Sequence, residues 1–291
     1  MKINTYTVSA FCKDNRGGNL AGVVLSAEGL DETQKKAISN KLGYSETAFV
    51  TQSNIADFKL EYFTPVVEVP LCGHATIATF ALMQHLGLLD QTTYSFESKA
   101  GVLEITINEG KIFMEQSRPH YADIIEKAEL ATCFDIDYIS EEYPIQIVST
   151  GLPDLLVPIK DEQRLRDLTP NFEEIAKISH KYDIVGIHAF VLQDDRIICR
   201  NFAPLYDIPE ESATGTANCA LVSYLYKHEI KRSPEYTIEQ GESLNLPSEI
   251  TVRITCDNDE ISRIFVGGYG YFVKEMDVYI TDDGVTICTE H

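Results

Sequence analysis

Two segments of the chain are apolar on nearly every side of a helix, unlike the alternating segments around them. They begin at Gly73, with HATIATFALMQHLGLL, and at Gly215, with TANCALVSYLYKHEI. A helix without a polar face has to be enclosed by other elements, so each segment predicts a buried central helix. Short β-rich runs flank both segments and predict a curved sheet that wraps around each helix.

The chain also repeats itself at about half its length. FTPVVEVP at Phe63 returns as FAPLYDIP at Phe202, an offset of 202 − 63 = 139. SETAFV and GIHAFV match at an offset of 187 − 46 = 141, which pairs Glu46 with Ile187. LCGHATIA and ATGTANCA match at an offset of 142. Three blocks in the same order and at nearly constant spacing predict two homologous half-domains.

The two halves share one order of predicted elements. A polar-start helix is expected to begin at Asp31 and to stop before Gly43, and its counterpart to begin near Asn171. Strands are expected at Tyr6–Ala10, Gly22–Leu25, Thr47–Thr51, Phe58–Phe63, Tyr94–Glu97, Val102–Asn108, Ile145–Ser149 and Leu155–Ile159. The predicted fold class is α+β, with two pseudo-symmetric β-roll half-domains. We expect residues 1–117, completed by 275–291, to form one half and residues 118–274 the other.

Composition narrows the classes of function. The formal net charge is −21, from 24 Lys and Arg against 45 Asp and Glu, which argues against nucleic acid as a partner. No run approaches the roughly 20 apolar residues of a membrane helix, and the first residues lack a basic leader, so we expect no membrane association. Seven scattered cysteines without metal-ligand spacing predict a reducing, cytoplasmic location.

The starts of the two apolar helices predict a binding site for an anion. Unpaired amide groups and the positive end of the helix dipole face outward at Gly73 and Gly215. If the halves face each other, both starts reach one cleft, which suits a small anionic substrate. His74 in one copy corresponds to Thr216 in the other, and Glu46 to Ile187, so only the first half keeps an ionisable pair.

Four sequence blocks of the chain resemble those of a known family. GGNLAGVVL, SETAFV, FTPVVEVPLCGHATIAT and NFAPLYDIPEESATGTAN are similar to the signature blocks of the PhzF-like proteins of phenazine biosynthesis, over nearly the whole chain. The resemblance implies a fold similar to diaminopimelate epimerase and an isomerase that uses no metal and no organic cofactor. It also allows a homodimer.

The resemblance carries four catalytic roles onto this chain. The family's glutamate and histidine fall on Glu46 and His74, and Glu46 is expected to remove a carbon-bound proton and to return it elsewhere. The family's aspartate and serine align with Glu211 and Thr216, which change both residue types. Ser212 also replaces the usual proline, so the site geometry can differ from that of the family.

The remaining expected site residues bind the substrate. They are Asn19, Cys72, Gly73, Thr214 and Gly215. Near Gln240 the chain lacks the arginine that often follows the family's Gln-Gly pair, so the substrate is not transferred from the family.

Two alternatives stay open. One is a racemase or epimerase with a thiol at each helix start. Cys72 fits the first place, whereas Thr214 occupies the second and Cys219 lies a turn further on. The other alternative is a protein that binds a small molecule on the same fold without turnover.

Overall fold

The computed structural model describes residues 1–281 and 284–288. Its strands are β1 (Lys2–Ala10), β2 (Asn19–Val24), β3 (Thr47–Thr51), β4 (Phe58–Phe63), β5 (Glu68–Val69), β6 (Thr93–Ser98), β7 (Gly101–Asn108), β8 (Lys111–Gln116), β9 (His120–Ile124), β10 (Gln146–Ser149), β11 (Pro153–Pro158), β12 (Gly186–Gln193), β13 (Arg196–Ala203), β14 (Ile208–Glu211), β15 (Glu235–Gln240), β16 (Ser248–Asp257), β17 (Glu260–Gly268), β18 (Gly270–Thr281) and β19 (Gly284–Cys288). Its α-helices are α1 (Glu32–Leu42), α2 (Gly73–His85), α3 (Glu162–Asp167), α4 (Phe172–Tyr182) and α5 (Gly215–Lys227). Short 3-10 helices lie at Lys127–Leu130, Ile136–Tyr138, Pro204–Tyr206 and Glu242–Leu244.

The chain divides into two compact units. Unit 1 contains residues 1–114 and 267–291, and unit 2 contains residues 115–266. The predicted half-domains have their boundaries at 117/118 and 274/275. Within segment 275–291, which is predicted to complete the first half-domain, residues 282–283 and 289–291 lie outside the described residues. The predicted boundaries of the two half-domains stay a prediction.

The two units use the same strand connections. In unit 1, β1, β2, β3, β4, β6 and β7 pair in that order as antiparallel, parallel, antiparallel, parallel and antiparallel neighbours. In unit 2, β10, β11, β12, β13, β15 and β16 pair in the same alternation. Unit 1 adds β18 beside β1 and β19 beside β18. The predicted class, α+β with curved mixed sheets, is confirmed.

Each unit encloses one apolar helix, as the sequence predicts. Every residue of α2 from His74 to Met83 is buried, and α2 packs on β1, β2, β3 and β18. In unit 2, every residue of α5 from Ala217 to Leu225 is buried, and α5 packs on β10, β11 and β16. The wrapping sheet is what makes a helix without a polar face stable in water.

The polar-start helices lie outside this core. The side chain of Asp31 caps α1 in a capping box with Gln34, and Gly43 ends α1 at a φ of 71°. The side chain of Asn171 caps α4. Both predicted starts and the predicted stop are confirmed. The short helix α3, capped by Asp161, was not predicted because six residues give too few periods to recognise.

The structure shifts the predicted alignment of the two copies by one residue. Thr47 pairs with Phe63 across β3 and β4, and Ile187 pairs with Phe202 across β12 and β13. The offset of β12 against β3 is therefore 187 − 47 = 140, and the counterpart of Glu46 is Gly186 rather than Ile187. A one-residue slip turns every side chain to the other face of a strand, so the predicted pairing was wrong in register.

The aromatic residues of the two strands show this change of face. Phe49 packs edge-on against Phe63, with 5.5 Å between ring centroids, on the side of α1. Phe190, its counterpart by letter matching, packs against Tyr224 of α5 instead, at 5.6 Å. The two AFV triplets match in sequence, but their side chains point to opposite faces of the sheet.

A buried polar cluster interrupts the core of unit 2. Asp154, His188 and Asn201 lie on neighbouring strands and are at most 1% exposed. Within the described part of the chain, neither carboxylate oxygen of Asp154 has a hydrogen-bond partner, nor has His188 Nε2. Burial raises the pKa of Asp154 to about 8, although nearby Asn201 opposes this, and burial lowers the pKa of His188 to about 4. Both groups are therefore predominantly neutral near pH 7.

No helix in the described ranges is long and apolar enough to span a bilayer.

We predict that Gly186→Ala destabilises the protein strongly. A Cβ atom at this position would lie 2.0 Å from the carbonyl oxygen of Phe202, which is backbone and cannot yield cheaply. The free energy of unfolding, measured in urea, should fall by about 3 kcal/mol. Gly29→Ala is the matched control, because a Cβ there meets nothing within 4 Å and only its φ of +83° is unfavourable. A loss of about 1 kcal/mol is expected for the control, and equal losses would contradict the steric argument.

We predict that Asp154→Asn changes how stability depends on pH. The pKa of Asp154 is about 8 in the folded protein against an ordinary value of 3.8, so the folded state binds this proton more tightly and stability falls as pH rises across that interval. His188 has the opposite sign, but its effect ends near the ordinary histidine pKa of 6.5. Between pH 6.5 and 8 the wild type should lose about 1 to 2 kcal/mol more than Asp154→Asn.

Urea unfolding followed by circular dichroism at several pH values from 6.5 to 8 gives the slope for each variant. His188→Asn is the control and should keep the wild-type slope in this window. Parallel slopes for the wild type and Asp154→Asn would show that Asp154 is ionised in the folded protein.

Candidate active site

Glu46 lies immediately before β3, where the backbone holds it firmly. Its carbonyl oxygen accepts a hydrogen bond from the Gly22 amide of β2 at 3.1 Å. Gly22 is needed for this close approach, since a Cβ there would lie 2.7 Å from Thr47 Oγ1. The side chain of Glu46 is 19% exposed, so part of it is open to solvent or a small molecule.

Helix α2 places two further side chains beside this carboxylate. Nε2 of His74 lies 3.3 Å from Glu46 Oε2 and 3.4 Å from Ser45 Oγ. Sγ of Cys72, the residue just before the helix, lies 3.5 Å from His74 Nδ1. The imidazole of His74 thus contacts both a thiol and a carboxylate, and it is only 9% exposed. The structure brings together three of the residues that the sequence selected.

The central helices differ from the outer ones in how they begin. Side chains cap the first turns of α1, α3 and α4. At the starts of α2 and α5, Cys72 and Thr214 provide no such capping hydrogen bond. The first intrahelical bond of α2 is donated by Thr76 to Cys72, so the amides of Gly73, His74 and Ala75 point beyond the helix end. An uncapped start is suited to an anion.

Gly73 is not required by the fold. A Cβ added to it would make an ordinary contact of 3.6 Å with Met114 Cε, and its φ lies outside the positive range that favours glycine. The neighbouring backbone therefore tolerates alanine. What a methyl group would change is access to the amides of the first turn of α2.

In unit 2, hydrogen-bonded side chains form a cluster at the start of α5. Thr214 Oγ1 donates a hydrogen bond of 2.6 Å to Glu211 Oε2. The Thr214 amide donates to Gln240 Oε1 at 3.1 Å, and Gln240 Nε2 donates to the Glu211 carbonyl at 2.8 Å. Asn218 Nδ2 donates to the carbonyl of Thr214 and to Gln240 Oε1, both at 2.8 Å. The turn that carries Glu211 is held by two buried amide side chains.

These two amide side chains were not recognised as part of the site from the sequence. Gln240 is 1% exposed and Asn218 is fully buried. The sequence feature that could have indicated them is the pair Gln240-Gly241. Gly241 has a φ of 83°, and a Cβ atom there would lie 2.7 Å from the Ser212 carbonyl oxygen, so this position requires glycine. In the sequence, the only notable feature of this pair is the absence of the arginine that often follows it in the family.

The other predicted site residues are placed as follows. Asn19 is the first residue of β2 and is partly buried. Thr216 is the second residue of α5, partly exposed, and its carbonyl accepts a hydrogen bond of 3.1 Å from Thr150 Oγ1. Gly215 begins α5. The expectation that both helix starts face one cleft stays a prediction.

Two thiols of unit 2 lie deep in its core. Cys219 and Cys199 are both buried in the core, and burial raises the pKa of each thiol well above its usual range. Such a thiol is a poor base at neutral pH. The place of Cys72 is taken in unit 2 by the hydroxyl of Thr214.

Among the described residues, the donor atoms of Glu46, Cys72 and His74 form one close set. One sulfur, one nitrogen and one oxygen lie within 4.8 Å of one another. The spacing of the cysteines gave no sign of this set, because it draws a single cysteine together with a residue 26 positions earlier, 72 − 46.

Comparison with known proteins places the chain in a family. A family model described as phenazine biosynthesis-like protein matches residues 8–276. A PhzF-family phenazine biosynthesis protein of Bacillus anthracis has a crystal structure that matches with a TM-score of 0.89 at 31% identity, over 96% of this chain and 100% of that one.

Curated relatives agree with this assignment. An uncharacterized isomerase of Clostridium acetobutylicum is 30% identical over 96% of this chain and 99% of its own. Trans-2,3-dihydro-3-hydroxyanthranilate isomerase of Pseudomonas chlororaphis is 28% identical over 90% of this chain and 94% of its own. The chain is thus an isomerase, and it belongs to the phenazine biosynthesis-like (PhzC/PhzF) family.

Proposed function

We propose that this isomerase moves a proton between two carbon atoms of a small substrate that carries a carboxylate, with Glu46 as the acid and base. The observation that carries the proposal is the contact of 3.3 Å between Glu46 Oε2 and His74 Nε2, beside the uncapped start of α2. A positioned carboxylate next to the amides of an uncapped helix start combines a base with a binding site for an anion.

The reaction needs no external oxidant or second substrate. The Glu46 carboxylate takes a proton from one carbon, and the electron pair of the broken C–H bond spreads into the conjugated system of the substrate. Glu46 then returns the proton to a different carbon, where a new C–H bond forms. His74 holds the carboxylate in place between the two steps, and the amides at Gly73 stabilise the developing negative charge.

The groups of unit 2 receive roles only through the family resemblance. We propose that Glu211 and Thr216 contact the substrate and that Thr214 and Gly215 help to bind it. The side chain of Glu211 is one methylene longer than that of the family's aspartate. The hydrogen bond of 2.6 Å that Glu211 Oε2 accepts from Thr214 Oγ1 fixes the position of its carboxylate. Gln240 and Asn218 act as positioning residues for this turn.

One observation favours a second candidate, in which Cys72 is the base. Sγ of Cys72 lies 3.5 Å from His74 Nδ1, an arrangement typical of an activated thiol. A two-thiol mechanism needs an opposed partner, and Thr214 stands at the corresponding start of α5. The glutamate mechanism therefore agrees better with the residues present.

We predict that Glu46→Gln abolishes proton exchange. In heavy water, a proton held by Glu46 exchanges with solvent, so the wild type should incorporate deuterium into a suitable substrate, which mass spectrometry detects. The first probe is trans-2,3-dihydro-3-hydroxyanthranilate, named for the Pseudomonas chlororaphis relative, followed by a panel of cyclic carboxylates. The rate should fall by at least about 100-fold in Glu46→Gln.

Two control variants separate the candidate mechanisms. Glu104→Gln changes an exposed glutamate on β7 and should keep the wild-type rate. Cys72→Ala should also retain exchange, and its loss in this variant alone would favour the thiol. If ligands raise the melting temperature while neither the wild type nor any variant exchanges deuterium, the protein binds these compounds without turning them over.

We predict that Gly73→Ala separates activity from stability. Because the added methyl group meets only Met114, at 3.6 Å, the free energy of unfolding should stay within about 1 kcal/mol of the wild type. Deuterium incorporation should fall by at least about tenfold, since the methyl group hinders approach to the helix amides. An unchanged exchange rate would mean that no substrate group approaches this helix start.

A further inference from the structure

The buried polar cluster of unit 2, formed by Asp154, His188 and Asn201, lies on one face of three neighbouring strands. Asp154 stands opposite Gly186 in the register of β11 and β12, and His188 stands opposite Asn201 across β12 and β13. Because His188 is two residues beyond Gly186, all three polar side chains point to the same face of the sheet. Phe190, a further two residues along β12, packs against α5, so this face encloses the central helix.

Unit 1 fills the same three positions in a different way. The strand registers give the counterparts, which are Ala21 for Asp154, Ala48 for His188 and Tyr62 for Asn201. The hydroxyl of Tyr62 contacts Thr76 Oγ1 of α2 at 2.6 Å, so a single side chain makes the link to the central helix there. One phenol and two methyl groups are therefore enough to fill this space, and packing alone does not require three polar side chains in unit 2.

The two copies also differ on the next strand. Asn201 stands opposite Glu211 across β13 and β14, whereas its counterpart Tyr62 stands opposite Val69 across β4 and β5. The polar cluster thus accompanies a carboxylate in unit 2, and its apolar counterpart accompanies a valine in unit 1. Since Glu211 is a proposed substrate contact, the internal repeat connects the buried polar cluster with the function of this carboxylate.

A series of contacts joins the buried polar cluster to the turn that carries Glu211. Asn201 Nδ2 and His188 Nδ1 lie 3.1 Å apart. Burial lowers the pKa of His188, and the nearby amide of Asn218 on α5 opposes this, so Asn218 lies within electrostatic reach of the imidazole. Asn218 donates to Gln240 Oε1, and Gln240 Nε2 donates to the Glu211 carbonyl, both at 2.8 Å. The cluster and the turn therefore belong to one connected network.

Asp154 and Glu211 also interact through their charges. Burial raises the pKa of Asp154 to about 8, nearby Asn201 opposes this, and the negative charge of Glu211 adds to the rise. Two interacting carboxyl groups do not readily ionise together. Asp154 is fully buried, whereas Glu211 is partly exposed and accepts a hydrogen bond from Thr214. At neutral pH the proton therefore belongs on Asp154 and the charge on Glu211.

The other titratable groups around Asp154 are uncharged or are directed elsewhere. The elements in closest contact with β11 are β10, β12 and α5. β10 has no titratable side chain, and β12 has only His188. The thiols of Cys199 and Cys219 are buried, and burial raises the pKa of each well above its usual range. The remaining titratable side chains of β13 and α5 lie on the opposite face or at the ends of these elements, and they are Arg196, Arg200, Tyr224, Tyr226 and Lys227.

We propose that Asp154 is a positioning residue for Glu211, and that it holds a proton beneath α5 so that the Glu211 carboxylate stays ionised and aligned for the substrate. His188 and Asn201 suit this role, because an uncharged imidazole and an amide are neutral neighbours for a neutral acid. Asp154 is fully buried and acts on the substrate only through Glu211. The catalytic consequence, but not the coupling of the two carboxyl groups, rests on the proposed function.

The coupling test follows the ionisation of Asp154 directly and needs no activity. Carbon NMR of the full chain, isotopically labelled at the side-chain carboxyl of aspartate, gives the titration, and Asp154→Asn identifies the signal by its loss. The wild-type signal should titrate with a midpoint near pH 8. In Glu211→Gln the midpoint should fall by at least about half a pH unit, because a negative charge near Asp154 is removed.

Glu104→Gln is the matched control for this titration. Glu104 is exposed on β7, so its substitution should leave the midpoint of Asp154 unchanged. A signal that titrates in the ordinary aspartate range, or a midpoint that is the same in Glu211→Gln as in the wild type, would overturn the coupling. Circular dichroism and melting temperatures identify any variant that is not folded.

A second variant tests the network from the other side. Asn201→Leu keeps a side chain of similar size but removes the amide that opposes the raised pKa of Asp154, so the midpoint should move to higher pH. This direction is opposite to that expected for Glu211→Gln, so a general loosening of the core cannot produce both results. An unchanged or lower midpoint in folded Asn201→Leu would contradict the role of Asn201.

The activity test compares pH profiles of deuterium exchange with the same probe compounds. Ionisation of Asp154 places a second negative charge near Glu211, so the wild-type rate should fall about tenfold between about pH 7 and about pH 9. Asp154→Asn cannot ionise and should keep its rate across this range, which a purely structural role would not produce. Asp123→Asn, at an exposed position of β9, should show the wild-type profile.

The two tests separate failure of the positioning role from failure of the proposed function. If the Asp154 midpoint falls in Glu211→Gln but the protein exchanges no deuterium, the coupling is supported and the proposed function is lost. If the protein exchanges deuterium and Asp154→Asn shows the same alkaline loss as the wild type, the proposed function is supported and the positioning role is overturned.

Discussion

The structure depends on the enclosure of two helices that have almost no polar surface. Ten consecutive residues of α2 are buried, from His74 to Met83. No arrangement on the outside of a sheet would hide such a helix, because a packed surface helix buries only one stripe. The sheet of each unit therefore curves around its helix, and the alternation of parallel and antiparallel pairs is the same in both units.

This enclosure also fixes where chemistry can take place. A buried helix can offer only its ends, and at the starts of α2 and α5 no side chain of the preceding residue caps the amides. The outer helices, by contrast, are closed by Asp31, Asp161 and Asn171. Omitting a cap costs stability of about 1 kcal/mol, so the open starts are consistent with a functional use of these amides.

The two copies of the repeat have diverged in the residues around this shared feature. Unit 1 places Glu46, Cys72 and His74 together, whereas the position of Glu46 in unit 2 is Gly186, where even a methyl group would collide with the backbone. Unit 2 instead fixes Glu211 through neutral amide side chains and carries a buried Asp154 with a raised pKa. One scaffold thus supports an ionisable cluster in one copy and a hydrogen-bonded turn in the other.

The sequence by itself determined the elements and their repetition. Apolar periodicity, caps and turn residues are local signals, so the starts of α1, α2, α4 and α5 and the strands β3 and β4 could be predicted within a residue. The family motifs likewise indicated Glu46 and His74. The register between strands is not a local property of the sequence. The observed register makes Gly186, not Ile187, the counterpart of Glu46. Only tertiary structure brings the donor atoms of Glu46, Cys72 and His74 within 4.8 Å of one another, or the side chain of Gln240 into hydrogen-bond contact with the Glu211 carbonyl. Such distances are set by how distant strands pair and pack.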